Sequence, residues 1–281
     1  MKRNLALSIL FLTLATAMGF SQTAPASSAN PPAQQSTSTP AETNTAEPAK
    51  APQAAPVAKP GQAPAQTGEH PAANSSNDLS MVLAKMNQSA AGFKSAQGNF
   101  QFVTYQKLVD DKDTQNGRIY FRRKDKSVDA AFEIEGPAPK QVVYSDGKVQ
   151  VYEKKINQVT VRNVGKNQAD VEAFLSLGFG ASGNDLVQQY DVKMDGWETI
   201  DGVKTAKLDL VPKNEKMRQT YNKIILWIDP EKDVLLQQQF FESSGDYRLA
   251  HYTNMKVNGK SIPNDAFRLK TNGSTKVVTP Q

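Results

Sequence analysis

The two histidines of the chain, His70 and His251, are the first candidates for catalysis or metal binding. His70 lies among small and polar residues, and His251 stands alone in an alternating segment. A nucleophilic triad and the common zinc sites need histidine close to further catalytic or ligating groups. The chain also has no cysteine, which excludes thiol catalysis, disulfides, cysteine metal sites and a lipid-modified cysteine. We therefore predict no metal site, no cofactor and no histidine-based catalysis.

Three carboxylates, Asp129, Glu133 and Glu135, are separated by even numbers of residues in a segment that is predicted to be a strand. Side chains at this spacing lie on one face of a strand. Two neighbouring acids can act as general acid and base, whereas the same pattern also arises from alternating charge on a solvated face. We favour the second interpretation. No catalytic residue is predicted, and the protein is not expected to be an enzyme.

Phosphate and nucleic-acid binding are not indicated either. The glycines fall in short turns and do not form a Gly-rich loop that opens a helix. The net charge is +5, with basic residues interspersed among acidic ones. Because no stripe of basic and aromatic residues stands out, we predict no nucleic-acid partner.

The first residues have the pattern of a secretory signal. Lys2 and Arg3 precede a largely apolar run from Leu5 to Leu14, and small residues follow. This run is short for a membrane-spanning helix. We predict a signal peptide over approximately residues 1–21, with an uncleaved anchor as the alternative, and hence export.

The next segment, residues 22–77, is rich in Ala, Pro, Gln, Ser and Thr and almost lacks large apolar side chains. Such a segment buries too little apolar area to offset the entropy lost on ordering, so we predict a disordered linker. The remaining residues, 78–281, are enough for one sizeable core and are predicted to form a single domain.

The predicted domain begins with a helix and continues mainly with strands. Asp78 is a suitable N-cap, and an apolar stripe at helical spacing begins at Leu79. Alternating segments separated by Asp-Gly and Asn-Gly turns follow. Short helices are predicted at Ala169–Leu177 and Asp185–Gln189, and an edge strand at Phe267–Leu269. Ten or more antiparallel strands with inserted helices indicate an α+β sheet or open barrel.

The segment 221–241 predicts a β-hairpin around Pro230. Its first strand is apolar on both faces, with Ile224, Leu226 and Ile228 on one side and Ile225 and Trp227 on the other. A strand of this kind is covered on both sides. This favours a curved sheet with apolar content inside, which is either an ordinary packed core or a cavity for an apolar ligand.

The order of these motifs resembles that of the LolA family of periplasmic lipoprotein carriers from Asp78 to Leu269. The matching segments are Gly117–Arg123, Val143–Lys148, Ala173–Leu177, Asp185–Tyr190, Ile225–Asp229, Gln238–Phe240 and Asn264–Phe267. Lys124 stands where the family has a proline, and Phe132 where it has a tryptophan.

The resemblance implies an α+β fold, a half-open antiparallel β-barrel of about ten or eleven strands with an N-terminal helix and a helical lid over an apolar cavity. Arg123 falls on the arginine that latches the lid in the family. The candidate cavity-wall residues are Phe100, Phe102, Phe121, Phe132, Trp227 and Phe240, and the candidate lid residues are Phe174, Leu175 and Leu177. Because strand alternation allows two faces, half of the wall candidates could point outward.

The function that the resemblance implies is that of a monomeric periplasmic chaperone for lipoproteins. Such a carrier binds the acyl chains of its cargo, accepts the cargo from an inner-membrane lipoprotein-releasing transporter and delivers it to an outer-membrane acceptor. The alternative is a periplasmic regulatory domain of the same fold that senses lipid or lipoprotein. A sensor would depend on a fixed partner or on membrane attachment.

Overall fold

The computed structural model describes residues 72–125, 127–232, 234–259 and 262–280. The predicted signal peptide and most of the predicted linker lie outside these residues. Four α-helices are described: α1 Ala72–Gly92, α2 Gln168–Ser176, α3 Gly183–Gln189 and α4 Glu215–Thr220. Among the helices within the described ranges, none combines the length and the apolar character that crossing a membrane requires.

Twelve strands form one sheet. They are β1 Ser95–Gln106, β2 Asp111–Lys124, β3 Ser127–Ile134, β4 Lys140–Ser145, β5 Lys148–Glu153, β6 Gln158–Asn163, β7 Tyr190–Ile200, β8 Val203–Pro212, β9 Tyr221–Asp229, β10 Val234–Glu242, β11 Tyr247–Val257 and β12 Lys276–Val278. Their order across the sheet is β12-β6-β5-β4-β3-β2-β1-β11-β10-β9-β8-β7. All neighbours are antiparallel except β12 and β6, which are parallel. Within the described part of the chain β7 and β12 form the two edges, so the sheet is open.

Turn chemistry explains why the hairpins form where the sequence predicts them. Asp146 and Gly147 both have positive φ, +50° and +69°, as a two-residue turn between antiparallel strands requires. At the central hairpin, the Asp229 carboxylate accepts hydrogen bonds from the backbone N–H groups of Glu231 and Lys232, at 2.9 and 3.3 Å. The predicted pairing of β9 with β10 is confirmed.

The main hydrophobic core lies on one face of the sheet, which we call the inner face. Ten strands contribute to it, and so do helices α1, α2 and α3 through residues such as Val82, Phe174 and Leu186. Ile224, Leu226 and Ile228 of β9 belong to this core, as the alternation of the strand predicts. The helices therefore cover the inner face.

A second, smaller cluster covers part of the opposite, outer face. The C-terminal segment places Ile262 and Phe267 against Ala131 of β3 and Val143 of β4. Arg122 of β2 donates a hydrogen bond to the Asn264 side chain at 2.6 Å. The C-terminal segment thus packs over the first half of the sheet, and its last part forms β12.

The expected α+β fold with an open antiparallel sheet is confirmed, with corrections of detail. The sheet has twelve strands instead of ten or eleven. Helix α1 begins at Ala72, so Asp78 lies inside the helix, where its carboxylate accepts a hydrogen bond from the Trp197 indole at 2.9 Å. The predicted edge strand Phe267–Leu269 is wrong, because Asn264–Phe267 is a 3-10 helix that turns Phe267 onto the outer face.

Candidate functional site

An apolar cavity lies on the inner face between the sheet and the helices. Its sheet side is formed by strands β1, β2, β3, β10 and β11, and the contributing residues are Phe100, Phe102, Ile119, Phe121, Ala130, Phe132, Gln238, Ala250 and Tyr252. These residues come together because every second residue of a strand faces the same side. Phe100 and Phe132 meet edge to face, with ring centroids 6.1 Å apart.

The other side of the cavity is formed by α2 and the loop after it, which we call the lid, residues 168–182. Phe174, Leu175, Leu177 and Phe179 reach the cavity from this side. The Phe179 ring stacks 5.9 Å from Phe121 and lies edge to face 5.2 Å from Tyr252. Helix α3 follows the lid and begins with a capping box, in which the Ser182 and Asp185 side chains each bind the backbone N–H of the other residue.

The cavity is too small for a long acyl chain in this closed arrangement. The cavity volume is about 40 Å³, whereas an engineered cavity of about 150 Å³ binds one benzene molecule. The surrounding side chains are packed and buried. The cavity therefore has no room for an apolar ligand larger than a few atoms in this arrangement of the lid.

Arg123, near the end of β2, connects the lid to the sheet and to α1. Its guanidinium donates one hydrogen bond to the carbonyl of Gly180 in the lid, at 2.6 Å, and one to the carbonyl of Ala90 in α1, at 3.0 Å. The guanidinium carbon also lies 5.4 Å from the centre of the Phe93 ring. A charged donor that binds carbonyls of two covering elements holds those elements against the sheet.

One polar pair interrupts the apolar lining. Gln238 of β10 donates a hydrogen bond from its amide nitrogen to the Tyr252 hydroxyl of β11, at 2.6 Å. Both side chains are buried. Burial raises the pKa of Tyr252, more strongly than the hydrogen bond from Gln238 lowers it. The phenol therefore keeps its proton at neutral pH.

Four of the six wall candidates, namely Phe100, Phe102, Phe121 and Phe132, line the cavity, and so do all three lid candidates. Phe240 faces inward but lies beside the cavity, where it packs on Phe174 with ring centroids 5.1 Å apart. Trp227 is not part of the wall, because its strand alternates and the indole points to the outer face. There it donates a hydrogen bond to Glu198 at 2.9 Å.

Sequence reasoning missed several lining residues, namely Ile119, Ala130, Phe179, Gln238, Ala250 and Tyr252. Ile119 and Ala130 have the strand parity of Phe121 and Phe132, so alternation alone could have found them. Phe179 lies between Gly178 and Gly180, outside any periodic segment. The sequence pattern did not indicate Gln238 as a lining residue, because a polar residue is expected outside a core.

The three carboxylates considered for catalysis lie on or beside the outer face and are paired with cations. Burial by itself would raise the pKa of Asp129, but hydrogen bonds from Lys124, Arg122 and Ser145 outweigh it and lower the pKa. Glu133 has a lowered pKa for the same kind of reason, with Lys270 as its main partner. Glu135 pairs with Arg118 at 3.7 Å. A lowered pKa makes Asp129 and Glu133 unsuited to act as a general acid at neutral pH. The contacts of all three carboxylates are ion pairs with neighbouring cations.

Comparisons with known proteins give likenesses of low identity. A family described as "Uncharacterized protein" matches residues 181–276, less than half of the chain. A comparison with curated proteins finds no match. Among solved structures, the chain is similar to the MucA/MucB complex of Pseudomonas aeruginosa, with 17% identity and a TM-score of 0.40 over 70% of this chain. The chain spans 61% of the matched chain of that complex.

Two further solved structures are matched over almost their whole length. An uncharacterized conserved protein from Thermus thermophilus has 12% identity and a TM-score of 0.45, over 72% of this chain and 99% of the other. A LolA superfamily protein from Nitrosomonas europaea has 15% identity and a TM-score of 0.34, over 67% and 96%. The topology itself is an open antiparallel sheet with helices across its inner face, as the sequence analysis predicts.

Proposed function

We propose that this protein is a periplasmic lipoprotein chaperone that binds acyl chains in the cavity beneath the lid and carries lipoproteins from the inner to the outer membrane. The observation that carries the proposal is an aromatic cavity closed by a lid whose Gly180 carbonyl is held by Arg123. In this proposal residues 1–21 direct export, the residues from 22 to the start of α1 at Ala72 are a linker, and the domain acts as a monomer.

The energetics support a lid that yields to an acyl chain. Two hydrogen bonds from a charged guanidinium contribute roughly 3–6 kcal/mol together. Burial of a methylene group gains about 0.8 kcal/mol, so a chain with about twelve buried methylenes gains roughly 10 kcal/mol. One long chain therefore outweighs the Arg123 hydrogen bonds. The latch then reduces the net affinity, which lets a carrier release its cargo.

The partners in this proposal follow from the direction of transport. The cargo is an acylated lipoprotein, which would come from an inner-membrane lipoprotein-releasing transporter and pass to an outer-membrane acceptor. Such a handover requires a moderate affinity for the cargo, because a carrier that binds its cargo too tightly cannot pass it on. The Arg123 latch supports this scheme, because it gives the empty carrier a stable closed state.

The test is native mass spectrometry of the mature protein mixed with a purified triacylated lipoprotein, followed by transfer of the cargo to outer-membrane vesicles. We expect a one-to-one complex with the wild-type protein. Arg123→Leu removes the hydrogen bonds that favour the closed state, so this variant should retain the cargo about tenfold or more longer.

The matched control is Arg118→Leu, which changes an exposed arginine on the same strand that pairs with Glu135 across the surface. This variant should bind and release cargo as the wild type does. Absence of a complex with lipoprotein, free lipid or fatty acid would contradict the proposal.

The second hypothesis, a regulatory domain that senses lipid or lipoprotein, is distinguished by the transfer step. A sensor of this fold would bind an apolar ligand but would not deliver a lipoprotein to vesicles. Correct sorting of outer-membrane lipoproteins in cells without the gene, together with ligand binding in vitro, would favour the sensor.

A further inference from the structure

One glutamine, Gln238, faces the apolar cavity, although the residues beside it on the same face of the strand are apolar. Gln238 is 93% buried, lies between Leu235 and Phe240 on the inner face of β10, and pairs with Ala250 across the strands. Its amide nitrogen is bonded to the Tyr252 hydroxyl. The amide oxygen of Gln238 has no hydrogen-bond partner among the described residues.

An unpaired polar atom at such a site destabilises the closed protein. A leucine at position 238 would fill similar space without this cost. Rotation of the Gln238 amide by 180° would leave its N–H groups unpaired instead, so the pair has an unmet hydrogen-bonding group in either orientation. The cost is offset if a ligand supplies the missing partner.

The pair offers complementary groups to such a ligand. The Gln238 oxygen is an acceptor without a partner among the described residues, and the Tyr252 hydroxyl accepts from Gln238, which leaves its own O–H hydrogen to donate. An acceptor and a donor side by side match a secondary amide, which presents one N–H and one carbonyl. An ester presents a carbonyl without an N–H, and a plain hydrocarbon chain presents neither.

We propose that Gln238 and Tyr252 bind the amide group of an N-acylated ligand, so that the cavity prefers acyl chains in amide linkage to acyl chains in ester linkage. This inference rests on the proposed function and specifies the chemical class of its ligand. The lid contributes to access, because the Phe179 ring lies against Tyr252 in the closed state. Displacement of the lid by the acyl chains exposes the pair to the amide.

The experiment measures how well two matched ligands displace an apolar fluorescent dye from the mature protein. The ligands are N-methylhexadecanamide and methyl hexadecanoate. They have the same length, and the amide has an N–H group where the ester has an oxygen. We expect the wild-type protein to bind the amide about five- to tenfold more tightly, the effect of one additional buried hydrogen bond.

Gln238→Leu should abolish or reverse this preference, because the N–H of the ligand would be buried without an acceptor. Tyr252→Phe should weaken both ligands, since both have a carbonyl. Phe132→Leu is the control within the same cavity, and it should weaken both ligands by the same factor and keep the preference.

The outcomes separate this inference from the proposed function. Equal binding of the two ligands by the wild-type protein would overturn the role of the pair and leave the carrier proposal standing. Failure of both ligands to displace the dye would overturn both. The ratio of the affinities of the wild-type protein for the amide and the ester tests the inference even if a variant does not fold.

Discussion

Two adjacent arginines of β2 show how the side of a strand decides the role of a residue. Arg123 shares the inner face with Phe121 and donates to the lid and to α1. Arg122 points to the outer face, where it donates two hydrogen bonds to Asp129 and lies 4.2 Å from the centre of the Phe267 ring. We expect Arg123 to affect ligand exchange and Arg122 to affect stability.

The buried carboxylate of Asp129 leads to a prediction about stability and pH. Its side chain is 1% exposed and accepts hydrogen bonds from Arg122, Lys124 and Ser145. Asp129→Asn should lower the free energy of unfolding by about 1–3 kcal/mol at pH 6, because charged hydrogen bonds are lost in a buried site. The measurement is the urea midpoint of the wild type and the variant.

The same comparison at low pH tests the cause. The pKa of Asp129 is lower in the folded protein than its ordinary value of about 3.9. Its contribution is therefore complete above about pH 4 and is lost as the pH falls towards the folded pKa. The difference between wild type and variant should shrink at pH 3. Asp111→Asn, at an exposed position, is the control and should show no such change.

At the scale of elements, the lid depends on Gly180, because both its backbone conformation and the space around it favour glycine. Gly180 has φ +77°, and a Cβ there would lie 2.4 Å from the Phe93 ring. Its carbonyl is also the one that accepts from Arg123. The backbone of the lid, the packing on Phe93 and the latch therefore meet at this residue.

Gly180→Ala should destabilise the lid more than the backbone strain of a positive φ alone would, because the added Cβ also lies too close to the Phe93 ring. The matched control is Gly202→Ala, at φ +78° with nothing within 4 Å of the added Cβ. We expect the control to cost about 1 kcal/mol of stability from the backbone alone and to leave ligand binding unchanged. Gly180→Ala should cost more and should speed hydrogen exchange of the Phe179 amide. Equal effects of the two variants would contradict this role of Phe93 packing.

At the scale of the whole molecule, the sheet separates a face for binding from a face for stability. The inner face contains the cavity and the lid. The outer face is covered over β3 and β4 by the C-terminal segment, where Phe267 is 7% exposed. The side chains on the outer face do not line the cavity. Substitutions on the outer face should therefore lower the stability of the fold without changing the affinity for the ligand.

Phe267→Ala is the test of this separation. The variant should lose about 3 kcal/mol of stability, as expected for truncation of a buried phenylalanine, and should keep the wild-type affinity for an apolar dye. Val277→Ala, at a side chain that is 65% exposed, should change neither quantity by much. A large loss of dye affinity in Phe267→Ala would show that the two faces are coupled.

Local patterns in the sequence were sufficient for most of the elements, but they did not indicate α4 or β12. Proline and Asp-Gly turns set the hairpins because their backbone preferences act within four residues. The helices of the lid region were predicted because apolar residues recur at helical spacing. The order of these elements also indicated an open sheet with helices on one face. The start of the first helix was not predicted correctly, because Asp78 has the residue type of an N-cap but lies inside a helix that begins at Ala72.

The site itself was decided by tertiary structure. Alternation gives every strand two possible inner faces, and the curvature of the sheet and the position of the helices choose between them. For this reason Trp227 was predicted as a wall residue but lies outside. The same long-range packing turned Phe267 onto the outer face, placed Arg123 against the carbonyl of Gly180, and enclosed Gln238 with Tyr252 among aromatic rings. None of these contacts joins residues that are near each other in sequence, so local patterns contain no information about them.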